Sequence, residues 1–270
     1  MLRDITLGQY YPADSAIHKL DPRVKLFSTL LYIISLFCFR GIVSLAIATL
    51  FLFGVISISK VPFKFMVKGL RAILILMLIT AVFNLFLTPG DPLITVWIFT
   101  ITKEGVKNAT LMAIRLIYLI LGTSIMTLTT TPNQLTDGLE KSLMPLSKIG
   151  VPVHAIAMMM SIALRFIPIL IEETDKIMKA QMARGADFES GNLMKKVKAM
   201  IPLLVPLFVS AFRRADDLAM AMEARCYNGG EGRTKMKPLK YTARDYRAYL
   251  VVAVYFVLII LCRIFLHWPQ

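Results

Sequence analysis

Acidic residues are scarce in this chain: 17 Asp and Glu stand against 31 Lys and Arg, for a formal net charge of +14. Cysteine and histidine are scarcer, at three each. Cys38, Cys226 and Cys262 are scattered and odd in number, which argues against a disulfide framework and against a thiolate metal site. His18, His154 and His267 fall in separate regions, and no HExxH, GxSxG or GxxxxGK[ST] motif occurs. Zinc-hydrolase, serine-hydrolase and phosphate-loop chemistry therefore lack their parts. Asp4, Asp14 and Asp21 cluster near the N-terminus without a base or a metal-ligand spacing. An enzyme is the least favoured class. Basic residues are not interleaved with clustered aromatics and no zinc-finger spacing appears, so nucleic acid is not an expected partner. The N-terminus lacks the basic-then-apolar layout of a signal peptide, so the first membrane segment is expected to stay attached.

What is abundant is apolar side chain. Apolar residues make up 57% of the chain, above the ~45–50% of soluble domains, and mean hydropathy is +0.66. The run from 26 to 59 is too long for one pass of roughly 20 residues and reads as two passes, 26–39 and 42–59, with a turn at Arg40-Gly41. A basic segment, KVPFKFMVKGLR (60–71), separates them from a third pass at 72–87. Residues 88–105 read as a loop with an interfacial segment around Trp97, and 106–130 as a fourth pass. Residues 246–266 form the fifth and last. Lys19, Arg23 and Lys25, then Lys60, Lys64, Lys68 and Arg71, place the N-terminus in the cytoplasm and the C-terminus outside. The fold class expected is all-α: a polytopic membrane protein with about five transmembrane helices. Residues 1–130 form an N-terminal membrane domain, 131–245 a cytoplasmic-facing segment, and 246–270 the closing helix.

The middle segment is built differently. Thr131, Pro132 and Gln134 compose a capping box. Leu135, Leu139, Leu143 and Leu146 then make one stripe, opposite Asp137, Glu140 and Lys141. This predicts a helix lying on a surface, of a membrane or of its own protein. Two long helices follow, 153–185 and 192–227, each apolar in its middle and charged at its finish. Pro168 in the first and Pro202 and Pro206 in the second should bend or divide them. Asp216 and Asp217, after Arg213-Arg214, are placed to brace the pair, with Arg213 at pairing intervals from both along one helix. Inside the passes, Arg115 either lines a path or holds a charged partner, or else it snorkels from the middle of its pass or pairs with a carboxylate from the helical hairpin. Asn84 is expected to hydrogen-bond between helices.

The two long helices end alike, QMARGADF (181–188) and MEARCYNGG (222–230). An arginine there is favoured by the helix dipole, by about 0.3–1 kcal/mol when exposed. Gly185 can supply a left-handed cap, whereas Cys226 and Tyr227 delay the second exit until Gly229-Gly230. The dipole does not explain small residues on both sides of each arginine: Ala183 and Gly185, then Ala224 and Cys226. Small neighbours let another surface close in, and the guanidinium becomes the longest projection, a rigid fork of donors suited to a partner's carboxylate-lined groove.

With these ends, the N-terminal LDPRVKL (20–26), LRFIPIL (164–170) and PLFVSAFRRADDLAMAMEARCY (206–227), the chain resembles the transmembrane T component of energy-coupling factor (ECF) transporters, over residues 5–266. That family includes the membrane subunits of cobalt-type uptake systems. It often has glycine after the second arginine, where this chain has Cys226. The resemblance implies a non-catalytic scaffold of an ECF-type ABC importer in a bacterial-type plasma membrane. It implies two cytoplasmic ATPases, in many cases a heterodimer, that hold the ATP and Mg; this subunit itself binds no cofactor. Ala183, Arg184 and Gly185, and Ala224, Arg225 and Cys226, would dock in ATPase grooves. The third partner would be a small membrane-embedded S component, interchangeable in some systems, that carries a vitamin or other micronutrient. Leu135, Leu139 and Leu143, with Met158, Met159 and Met160, are its candidate contacts, since methionine packs against varied shapes; the same methionines would equally fill an irregular core. A dedicated cobalt, nickel or single-vitamin system is the nearer alternative. A self-sufficient channel or carrier is the more distant one: it needs polar residues converging across several passes, and no inverted repeat is visible.

Overall fold

The computed structural model describes residues 9–38, 41–96, 99–186, 188, 193–229, 236 and 238–265. The architecture is all-α apart from one short hairpin. The helices are α1 (Pro22–Cys38), α2 (Ile42–Ser59), α3 (Phe63–Leu87), α4 (Lys103–Thr129), α5 (Pro132–Leu143), α6 (Val153–Ala183), α7 (Leu193–Glu223) and α8 (Ala243–Phe265). A 3-10 helix, Met144–Ile149, follows α5, and strands β1 (Pro92–Val96) and β2 (Phe99–Thr102) pair antiparallel between α3 and α4.

Local chemistry sets several helix starts. Asp21 accepts the Arg23 amide at 2.9 Å, with Pro22 at the first helical position of α1. Thr102 caps α4 by accepting from the Gly105 amide at 3.0 Å. The capping box of α5 forms as predicted: Thr131 Oγ1 accepts the Gln134 amide at 3.3 Å, and Gln134 Oε1 accepts the Thr131 amide at 3.2 Å.

Two expected loops are ordered instead. The basic segment 60–71 is not a connector from end to end: α3 begins at Phe63 and runs 25 residues. Pro62 precedes the helix, and the rest of the stretch has no proline; lysine and arginine are good helix formers, so their charge does not stop it. The 88–105 segment holds the β1–β2 hairpin, whose β-branched runs, Ile94-Thr95-Val96 and Thr100-Ile101-Thr102, suit extended pairing. Trp97 lies outside the described residues.

The chain divides into two compact units, one made of 9–138 with 239–265 and the other of 139–238. In the first, α1, α2, α4 and α8 surround a core of Tyr32, Leu36, Leu52, Leu121, Ile125, Tyr255 and Ile259. Phe51 stacks on Tyr255 with ring centroids 4.0 Å apart, and the Tyr255 hydroxyl meets Ser35 Oγ at 2.8 Å. Gly122 lets α4 close on α1: a Cβ there would lie 2.2 Å from Tyr32 Cε1. Among the described residues Asn84 makes no bond between helices; its amide donates to the Thr80 carbonyl one turn back at 2.8 Å. An asparagine side chain is short, and the carbonyl of its own helix is nearer than the next helix. The Arg115 guanidinium lies 5.7 Å from the Phe37 ring centroid and donates to Met112 Sδ at 3.6 Å.

The signature LDPRVKL becomes a buried polar clasp. Asp21 is bound twice by Arg23, through Nε at 3.0 Å and Nη2 at 2.9 Å. The Asp21 amide donates to Asp245 Oδ1 at 2.8 Å, and Thr242 donates to Asp245 Oδ2 through both its amide and its hydroxyl, each at 2.7 Å. Arg23 also covers the Tyr241 ring at 3.9 Å. Lys25 is buried too, and its amine donates to the Thr129 carbonyl at 2.8 Å and the His18 carbonyl at 3.2 Å, so it closes the C-terminus of α4. Asp21 thus satisfies the start of α1, Lys25 the end of α4, and the Asp21 amide ties the start of α8 to the same heptapeptide through Asp245.

By length and composition, α4, α6 and α8 are each able to cross a membrane, and Val43–Ser59 and Ile73–Leu87 are shorter apolar helices. On α3, Ile75 is 70% exposed and Phe83 58%. Such a surface would drive aggregation in water and is ordinary against lipid. The chain is a multi-pass membrane protein.

Candidate functional site: two matched helix ends

In the second unit α6 packs on α7. Neither helix is divided by its prolines: α6 runs through Pro168, and α7 through Pro202 and Pro206. Each internal proline removes one amide donor and leaves the carbonyl four residues earlier open. Pro206 leaves the carbonyl of Pro202 open, and Gln181 Nε2 of α6 donates to it at 3.4 Å. The last turn of α6 is therefore tied to the proline-altered turn of α7. Further along, Arg214 of α7 forms an ion pair with Glu173 of α6. The expected braces, Arg213 with Asp216 or Asp217, do not form among the described residues. Spacing along one helix permits such pairs, but the carboxylate across the helix interface is the one an arginine meets here. At the start of α6, His154 Nδ1 meets Glu140 Oε1 at 3.0 Å.

The two helix ends are closed by the same hydrogen bonds. In α6 the Gly185 amide donates to the Met182 carbonyl at 2.9 Å and the Ala186 amide to the Gln181 carbonyl at 3.0 Å. In α7 the Cys226 amide donates to the Glu223 carbonyl at 2.8 Å and the Tyr227 amide to the Met222 carbonyl at 3.0 Å. Both are Schellman closures. Arg184 and Arg225 hold the same place in them, the last residue before the left-handed one, and both are exposed. The left-handed residue is Gly185 at φ 89° in the first and Cys226 at φ 54° in the second. The second helix does not run on toward Gly229, because Cys226 itself takes the conformation that ends it.

The other predicted site residues are distributed. Ala183 and Ala224 flank the arginines and are exposed. Leu143 is 42% exposed, Leu135 and Leu139 are half-buried, and on the first half of α5 the buried positions are Thr136 and Gly138, the latter against Pro22. Met159 and Met160 are 58% and 41% exposed and Met158 is half-buried, so the first two are not core filler in this chain. Sequence reasoning missed the long exposed apolar face of α7, which includes Ile201, Val205, Phe208 and Phe212. Its helical spacing was a usable signal. The Gln181–Pro202 bond carried a weaker one: a glutamine one turn before a helix end, in a chain whose next helix has prolines four apart.

Among the described residues, no group of three or more His, Cys, Asp and Glu could hold a metal ion. What the site offers is a pair of exposed guanidinium tips on two braced helices.

The sequence profile of the cobalt transport protein family (CbiQ) matches residues 13–236. The energy-coupling factor transporter transmembrane protein EcfT of Clostridium kluyveri is 58% identical over 269 residues, covering 98% of each chain. The protein of the same name from Heliobacterium modesticaldum is 52% identical over 263 residues, 97% of this chain and 99% of that one. That of Bacillus subtilis is 49% identical over 246 residues, 91% and 93% of the two chains. The two arginine-tipped helices, the buried LDPRVKL clasp and these full-length likenesses agree, and the chain belongs to the CbiQ/EcfT family as the non-catalytic transmembrane component of an energy-coupling factor transporter.

Proposed function

We propose that Arg184 and Arg225 are the two points at which this subunit engages a pair of cytoplasmic ATPases, each entering a carboxylate-lined groove. The observation that carries this reading is the identical closure of α6 and α7, which puts both guanidinium groups at the same cap position and leaves both exposed. Ala183 and Gly185, with Ala224 and Cys226, keep the surface around each tip low enough for a groove wall to close on it. The helix braces, Arg214 to Glu173 and Gln181 to Pro202, make the two tips move as one when the ATPases approach or separate. Leu135, Leu139 and Leu143, with Met158, Met159 and Met160, present the contact surface for a small membrane component that holds the substrate, a vitamin or another micronutrient. The ATPases and both long helix ends lie on the cytoplasmic side, with the C-terminus outside.

Replacing both arginines by glutamate reverses two charge-assisted contacts. The double variant R184E/R225E is expected to insert in the membrane normally and to lose ATP-driven uptake at least tenfold, consistent with losing charged hydrogen bonds of about 1.5–3 kcal/mol each. Uptake at the normal rate by the purified, reconstituted complex would overturn the docking assignment. The description of the matching family, cobalt transport protein, favours a second reading, a dedicated metal-ion system. Purification through this chain separates the two: several different small membrane partners support a shared module, and one alone supports a dedicated one.

A further inference from the structure

In the first unit a cavity of about 520 Å³ opens between α1, α2, α4 and α8. It lies at one end of the bundle, where α1 and α8 begin and α2 and α4 finish, since its lining runs from Lys25, Ile58 and Thr129 to Arg244 and Arg247. Its volume is within the range of about 300–1,000 Å³ typical of sites for organic ligands. The walls are apolar, with Leu52, Val55, Ile125 and Val251 among them. The mouth is basic. It adjoins a second hollow of about 530 Å³ that shares Ala16, Ile58 and Arg244 and adds Lys19 and Lys60 against one carboxylate, Asp14.

Charge at this mouth is uneven. Lys19 is paired with Asp14 at 2.6 Å, and the Lys25 amine is committed to two backbone carbonyls. Among the described residues, Lys60, Arg244 and Arg247 have no carboxylate within ion-pair distance. Asp245, their neighbour in sequence, is buried and taken up by Asp21 and Thr242. An apolar cleft among membrane helices, ending in exposed cations at the helix termini, matches one kind of molecule: a hydrocarbon chain carrying an anionic head. Helix termini of a membrane bundle lie at the level of the lipid headgroups, where basic residues attract anionic lipid.

We propose that this cleft holds one anionic phospholipid of the surrounding bilayer, with an acyl chain between α1, α2, α4 and α8 and its phosphate at Arg244 and Arg247, within reach of Lys60. A soluble anion has no use for the apolar walls, and a zwitterionic lipid has less use for the Arg244 and Arg247 cations, which have no ion-pair partner among the described residues. The site rests on the chain's place in a membrane and on this unit alone, so it stands or falls separately from the arginine tips.

The test uses the whole complex, purified through this chain and reconstituted in nanodiscs of equal parts phosphatidylglycerol and phosphatidylcholine. Lipid that stays bound after detergent extraction is counted by native mass spectrometry. Wild type is expected to retain phosphatidylglycerol over phosphatidylcholine. Arg244→Gln and Arg247→Gln should each lower that retention roughly fivefold, the factor for one basic residue at an anionic surface. Ala248→Phe, which fills the apolar wall and leaves the cations in place, should lower it as well. Assembly with the ATPases serves as the folding control for each variant. Equal retention of the two lipids by wild type overturns the proposal, as does a complex that retains none because a protein partner fills the cleft. Wild-type retention by Ala248→Phe overturns it too, since lipid would then sit on the charges alone.

Discussion

Arg184 and Arg225 occupy equivalent cap positions, but the residues after them do not pay the same conformational cost. Gly185 takes a left-handed backbone freely, whereas a residue with a Cβ is disfavoured there by about 1–2 kcal/mol. Cys226→Gly should therefore tighten the end of α7, slowing hydrogen exchange at the amides of residues 226 and 227 by roughly fivefold, about 1 kcal/mol. Gly185→Val should do the reverse at the end of α6; unchanged exchange in both variants would show that the closures are not set by these residues. A second residue-scale effect concerns the N-terminal segment. His18 lies between Ser15 Oγ at 2.7 Å and the Tyr11 carbonyl at 3.0 Å. Burial holds its pKa below the ordinary histidine value, with Lys25 nearby acting in the same direction and the Tyr11 bond and Asp14 opposing. The fold thus favours neutral imidazole. Its contribution is full above the unfolded value of about 6.5 and is lost as pH falls below it. Limited proteolysis of residues 9–20 should accelerate from pH 7.5 to pH 5.5, and His18→Gln should flatten that dependence.

At the scale of elements, the functional claim depends on α6 and α7 acting together. Arg214 and Glu173 are partly exposed, so their pair is worth at most about 1 kcal/mol to stability. Its use is to keep two long helices in register. Arg214→Glu alone and Glu173→Arg alone should each reduce coupled uptake several-fold, while the double exchange should restore most of it. If the single exchanges cost nothing, the pair does not link the helices mechanically. The helix pair was legible in the sequence through its repeated layout, and so were the arginine tips and the α5 capping box, because each depends on residues a few positions apart. Other features were not. Gln181 meets Pro202 only because Pro206 withdraws a donor, a relation that needs the two helices already packed. Residues 60–71 carry charge, which reads as a loop, while their helix propensity is high; α3 absorbs most of them. The long-range partners, Asp21 with Asp245 and Ser35 with Tyr255, lie more than two hundred positions apart and leave no local periodicity.

For the whole molecule, the last helix completes a unit that the first four began. Tyr255 and Ile259 of α8 belong to the core laid down by α1, α2 and α4, and Asp245 accepts three hydrogen bonds from Asp21 and Thr242. Asp245→Ala leaves those donors buried without an acceptor, at about 1–3 kcal/mol for each one unsatisfied. Loss of several kcal/mol should lower the thermal midpoint of the purified subunit markedly and reduce its yield in membranes, whereas Asp245→Asn, which keeps one acceptor oxygen, should do so less. An equal midpoint for wild type and Asp245→Ala would mean that α8 is held by its apolar contacts alone. The clasp has one more property. The chain leaves this unit after Gly138 and returns to it at Leu239. Gly138 rests on Pro22, and the Leu239 carbonyl accepts from Arg23 at 3.5 Å. Both junctions of the inserted segment are thus fastened to consecutive residues of one turn. Pro22 and Arg23 therefore act as a hinge pin for the chain path: a change at this one dipeptide reaches the exit at Gly138 and the return at Leu239 together.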